Sequence, residues 1–159
     1  MKFINITIIL FLFGCSSSLL FSEKNNNWNP MGYDGFSNKL NELSGVDAIN
    51  CGFFDLTERN PSSIAASKLG YRCAREASEK GLPFKFGTKR IPTDSYAYEV
   101  LILTPDKHYW LVTLDVMLGR VDATQQWNKK CKSVMISDND YKGSDCENVD
   151  YQDWIKEKN

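Results

Sequence analysis

The fold class this sequence predicts is α+β: one main helix packed on an antiparallel sheet of about four strands, stapled by two disulfides. Three observations predict it. They are a capped helical pattern over residues 61–80, an alternating apolar hairpin over 95–116, and an even set of cysteines, Cys51, Cys73, Cys131 and Cys146, once Cys15 is set apart. The chain has 159 residues and a formal net charge of −1, and the roughly 110 residues expected in the folded body suffice for one modest core.

Lys2 is followed by an apolar run from Phe3 to Phe13 broken by Asn5 and Thr7, the pattern of a secretory signal. Leu12-Phe13-Gly14-Cys15 closes it, and Ser16, Ser17 and Ser18 follow. These residues resemble the lipobox of bacterial lipoproteins, in which a cysteine becomes the acylated N-terminus. The resemblance covers about the first 18 residues. It implies a signal peptide over 1–14, lipid attachment at Cys15, and, with Ser16 after it, a bacterial envelope location on the periplasmic face of the outer membrane. Cleavage near Ser18 and an uncleaved anchor reaching Phe21 are the alternatives, and the three serines inside that span argue against the anchor.

Residues 15–45 are rich in Ser, Asn and Gly and read as an acylated, flexible tether. Its aromatics Trp28, Tyr33 and Phe36 stand out as able to fold back onto the body, which is expected over 46–148, with a tail over 149–159. Asn60 caps the main helix, Pro61 suits its first position, and Gly81 and Pro83 stop it. Ala66, Leu69, Gly70, Cys73, Ala74 and Ala77 fall on one face, small enough for the helix to lie close to a sheet.

Phe84 and Phe86 alternate with Lys85 and Gly87 as a short strand. In the hairpin over 95–116, pairing Leu103 with Tyr109 places Tyr96, Tyr98, Val100 and Ile102 on one face with Trp110, Val112, Leu114 and Val116. A slip of one residue would oppose Glu99 to Leu114, so the pattern selects the register. Pro105 presets the turn, and Lys107 must take the left-handed conformation that Gly usually supplies. Residues 132–136 complete the expected strands.

On the other hairpin face, Leu101, Leu103, Tyr109 and Leu111 form an apolar half that something must cover. Either the chain covers it, through the N-terminal aromatics or Tyr151 and Trp154, or it is a docking patch for a partner.

An even number of cysteines in an exported domain reads as two disulfides. Of three connectivities, the local closures Cys51 with Cys73 and Cys131 with Cys146 carry the smallest loop cost. A zinc site is disfavoured by the absence of any Cys-x2-Cys pair. The order of elements also looks like that of small envelope lipoproteins of unknown function, through Cys73-x3-Ala77, Gly81-x-Pro83-Phe84 and Asp94-Ser95. This likeness implies no activity.

Charge and motifs exclude more than they select. The 19 basic and 20 acidic residues become 18 and 20 on loss of Lys2, a net charge of −2 that offers no footprint for nucleic acid. Lys85, Lys89 and Arg90 beside Phe84 and Phe86 read as a solvated strand face rather than an RNA surface. No nucleotide motif is present, and no cofactor is expected. Ser95 and His108 lie at opposite ends of the hairpin, roughly 25 Å apart, too far for a hydrolytic dyad. Asp138, Asn139, Asp140 and Gly143 resemble a calcium loop, but Lys142 and Val149 occupy two ligand positions. Six acids between Asp138 and Asp153 make an acidic end. Glu99 and Asp115, diagonal on one hairpin face, are close enough for the paired carboxylates of glycoside hydrolysis, but nothing in the pattern buries either to raise its pKa.

The function expected is that of a lipid-anchored envelope binding module, an inhibitor, immunity-type or accessory protein without catalytic activity. It would meet the membrane through its lipid and another envelope protein through the Leu101, Leu103, Tyr109 and Leu111 face. A cell-wall hydrolase and a structural lipoprotein are the alternatives.

Overall fold

The computed structural model describes residues 34–120 and 124–150. The lipobox with Cys15, Trp28 and Tyr33, and Tyr151 and Trp154 of the tail lie outside the described residues. Eight elements follow one another: α1 (Asp34–Ser44), β1 (Ile49–Asp55), α2 (Pro61–Glu79), β2 (Phe84–Arg90), β3 (Ser95–Leu103), β4 (Tyr109–Met117), β5 (Thr124–Ile136) and β6 (Tyr141–Val149). The class is α+β. Two features differ from the expected sheet of about four antiparallel strands. The sheet has six strands in sequential order, and β1 pairs parallel to β2, so the sheet is mixed.

Helix α2 is the crossover between the parallel strands β1 and β2, and its ends form as the sequence dictates. Asn60 Oδ1 accepts from the Ser63 amide at 2.8 Å, and Pro61 follows at the first turn. At the other end Gly81 has φ +61, and the Leu82 amide donates to the Ala77 carbonyl at 2.8 Å. The helix seats tightly because Gly70 has no side chain: a Cβ there would stand 2.3 Å from Phe54 and 2.6 Å from Phe86.

The β3–β4 register is the expected one, Leu103 opposite Tyr109 and Glu99 opposite Thr113. Lys107 takes φ +67 in the turn. Its ammonium donates to the Gly81 carbonyl, which ties the turn to the end of α2.

Residues 34–44, read in the sequence as part of a tether, form α1. Phe36, Leu40 and Leu43 pack on the face made by Val100, Ile102, Trp110 and Val112. Buried Ser37 and Ser44 take inward positions where an apolar pattern would have announced the helix. Folded structure thus begins ahead of residue 46.

The expected docking patch is core. Leu101 is 0% and Leu103 2% exposed, and Tyr109 and Leu111 pack against the same cluster. Of the N-terminal aromatics only Phe36 lies among the described residues, and it packs on the opposite face; the described residues themselves supply a cover. It is α2, through Tyr71, Ala74 and Ala77, together with the far half of the β5–β6 hairpin. Beyond Cys131, β5 and β6 continue pairing with each other where β4 has ended, and Val134, Ile136 and Tyr141 join the core under α2. Arg75 on α2 pairs with Asp138 in the hairpin turn at 2.7 Å. The sheet is therefore covered on both faces, by α1 on one and by α2 with the folded-over hairpin on the other.

Two disulfides close the structure, Cys51–Cys73 and Cys131–Cys146. The first ties β1 to α2. The second links directly opposed residues of β5 and β6 where the hairpin leaves β4.

Candidate functional site

Strand alternation places Thr88, Glu99, Thr113 and Trp127 in one row across the α2 face of the sheet, each opposite the next. Glu99 is the hub. Its Oε2 lies 3.4 Å from the Thr88 hydroxyl, which donates to it, and 3.3 Å from Arg90 Nε. Arg90 also donates to the Tyr71 hydroxyl at 2.9 Å. Burial pushes the Tyr71 phenol up, an effect that neighbouring Arg90 opposes. Burial, reinforced by the Glu99 carboxylate, also raises the Tyr141 phenol. This cluster sits where sheet, helix and hairpin meet. Its charge is internally compensated, so it holds three elements in place rather than presenting a free acid over a cleft.

The sequence's other candidates disperse. Ser95 pairs with Met117 at one end of the hairpin, and His108 stands by the turn at the other. His108 Nδ1 is 3.0 Å from Asp106 Oδ2. Asp115 lies one row from Glu99, its Oδ1 buried without a hydrogen-bond partner among the described residues. Lys85 turns toward α1 and donates to Asn41 Oδ1 at 2.6 Å, and burial lowers its ammonium. Lys89 lies 4.2 Å over the Tyr96 ring, whereas Arg90 belongs to the opposite face. The three cations are thus divided between faces and make no common patch. Asp138 is engaged by Arg75. Among the described residues no group of three or more His, Cys, Asp or Glu side chains could hold a metal ion. No helix among them is long and apolar enough to cross a membrane.

One open surface with the shape of a binding site includes residues that pattern reading assigned to the core. A groove of about 300 Å³ runs between the flank of α2 and the start of β1, lined by Ile49, Leu69, Cys73, Ala77 and Leu82, with Arg72, Glu76 and Lys80 also lining it. Its size falls at the low end of ligand pockets. Leu69 and Leu82 are 46% and 43% exposed. Pattern reading placed Leu69 on the inward face of the helix, but Tyr71 took the inward position. Its ring lies 4.5 Å from that of Phe86 and is 1% exposed. A helix that buries residue 71 turns residue 69 to its flank. The available signal was the volume of Tyr71 among small neighbours.

Comparison with family models, with curated proteins and with solved structures found no match to the chain.

Proposed function

We propose that this chain is an exported, lipid-anchored binding module of the bacterial cell envelope, acting on another envelope protein without catalysing a reaction. The observation that carries the reading is the pair of disulfides, each joining neighbouring segments of the chain. Such bonds persist in oxidising compartments. They stand downstream of the Leu12-Phe13-Gly14-Cys15 sequence, whose resemblance to a lipobox supplies the address. The working surface is the α2 groove, since the hairpin face first expected to dock a partner is buried. Nucleic acid and nucleotides are not among the proposed partners, since the charge of the sequence is balanced and it carries no phosphate-binding motif.

Intact-mass analysis of the chain isolated from membranes tests the address. The expected product lacks residues 1–14, carries acyl groups on Cys15 and has no free thiol. An unprocessed, unacylated product with its thiols reduced, recovered from the soluble cell interior, would overturn the reading.

A further inference from the structure

The α2 groove offers an occupant side chains and no backbone amide. Two rows of α2 residues, each spaced by four, run along it: an apolar row of Leu69, Cys73 and Ala77, and a charged row of Arg72, Glu76 and Lys80. Together they follow the helix for about 16 Å, roughly three turns. Ile49 and Leu82 complete the lining. The backbone amides of these residues are already used inside the protein. Those at 69–77 lie within α2, Lys80 donates to the Glu76 carbonyl at 3.3 Å, Leu82 to Ala77 at 2.8 Å and Ile49 to Pro83 at 2.8 Å. An extended segment laid in the groove would find no amide there to pair with its own carbonyls. A helix needs none, because it satisfies its backbone internally.

We propose that the groove binds an amphipathic α-helix of a partner protein. The aliphatic face of that helix lies along Leu69, Cys73 and Ala77, where the small side chains at 73 and 77 let two helices approach closely. Charge then sets its flank. Arg72, Glu76 and Lys80 read positive, negative, positive, so the complementary flank reads acidic, basic, acidic at the same four-residue spacing. That order is the same from either end, so it suits a parallel or an antiparallel partner. The groove is rigid on one side, since Cys73 is bonded to Cys51 of β1. The proposal rests on the binding-module reading and deepens it, since it names the chemistry of the partner at that same groove.

The test is selection of a displayed library of single-helix peptides, about 18 residues or five turns long, on the full chain, followed by affinity measurement with the best synthetic peptide. The expected selection is for aliphatic residues at three-to-four spacing, flanked by an acid, a base and an acid four residues apart. Leu69→Glu and Leu82→Glu should each weaken binding about tenfold or more. Ile64→Glu, at a residue of the same helix that is exposed at 42% but outside the groove, should change it less than about twofold. A proline in the middle of the peptide should abolish binding, which an extended ligand would tolerate. The charge-reversed chain, carrying Arg72→Glu, Glu76→Lys and Lys80→Glu together, should lose the selected peptide and bind its charge-reversed counterpart, an exchange that a merely structural role of these residues would not produce. The proposal is overturned if the full chain selects no peptide, as when its own N-terminal segment or an acyl chain fills the groove. It is equally overturned if the selected peptide ignores both leucine variants, tolerates the proline, or shows no exchange on charge reversal. Peptide selection in buffer is independent of cellular address, so the export reading can fail in the mass measurement while this site stands, and the reverse.

Discussion

Helices α1 and α2 cover opposite faces of one sheet, and they are held there by different means. Helix α2 is 19 residues long, seated through Gly70, Ala74 and Ala77, and bonded to β1 by Cys51–Cys73. The hairpin that shares its face carries the second disulfide. Helix α1 has 11 residues and no cysteine, and it rests on Phe36, Leu40, Leu43 and the contact of Asn41 with Lys85. One face is closed covalently and the other by non-covalent contacts, apolar burial and a hydrogen bond among them. The face that presents the groove is therefore the one whose integrity depends on the redox compartment.

The largest expected effect is that of Leu101→Asp. Leu101 lies at 0% exposure beneath α2 and the folded-over hairpin, so the substitution would bury an unpaired carboxylate. A loss of about 4 kcal/mol or more is expected, seen as an absent or strongly shifted cooperative urea transition. If the variant folds as the native chain does and loses only partner capture, this half-face is a docking surface after all and the cover described above is wrong.

The next pair sharpens the contrast between the faces. Leu40→Ala should cost about 3 kcal/mol, the usual penalty for emptying a closed apolar site, equally in oxidising and reducing buffer. Replacing Cys51 and Cys73 by Ser should also cost about 3 kcal/mol, but against the oxidised protein only. Urea midpoints with and without dithiothreitol measure both. A Leu40→Ala penalty that disappears on reduction would mean that α1 depends on the α2 face, and the independence of the two would be lost.

The same contrast governs what the sequence made readable. The β3–β4 register was legible because Tyr98, Val100 and Ile102 alternate cleanly against Trp110, Val112 and Leu114, and a one-residue slip would have exposed them. Helix α2 announced itself through Asn60, Pro61 and Gly81. Helix α1 did not, since buried serines stand among Phe36, Leu40 and Leu43 and two asparagines, Asn38 and Asn41, interrupt the helical pattern. Strand β6, Tyr-Lys-Gly-Ser-Asp-Cys-Glu-Asn-Val, is an edge with hardly a buried residue, so no apolar alternation marks it. Strand β1 carries a glycine and a bulge, which break period two. The cysteine pairing followed from loop cost. The groove stayed hidden because it depends on helix rotation, which the ring of Tyr71 decides by packing against Phe86 of β2, a contact that no local pattern announces.

A smaller effect probes how well α2 is anchored at the end away from the groove's Leu82. Asn60→Ala removes the acceptor of the Ser63 amide and should cost about 1 kcal/mol. Hydrogen exchange should show the first turn of α2 fraying while the groove residues 69–82 stay protected. Equal loss of protection along the helix would indicate that the disulfide does not isolate the two ends.

The smallest expected effect lies where the faces share a part. The β3–β4 turn touches the ends of both helices, since Lys107 donates to Gly81 after α2 and a Cβ on Gly45 after α1 would stand 3.0 Å from the Pro105 ring. Within the turn, Asp106 accepts from the Thr104 hydroxyl and meets His108, and the Thr104 bond is the first cause holding its carboxyl below the ordinary range. The unfolded chain therefore takes up this proton at a higher pH than the folded one. The stabilisation is complete above the unfolded value near ~4 and is lost as pH falls through the folded value. Because the Asp106 side chain is 70% exposed, the effect should stay below about 1 kcal/mol. Compared with Asp106→Asn, the native chain should lose its advantage in urea midpoint between about pH 5 and pH 3, and both helices should loosen together. Parallel curves for the two proteins over that interval would mean that the carboxylate does not hold the turn, leaving the two faces without this common clasp.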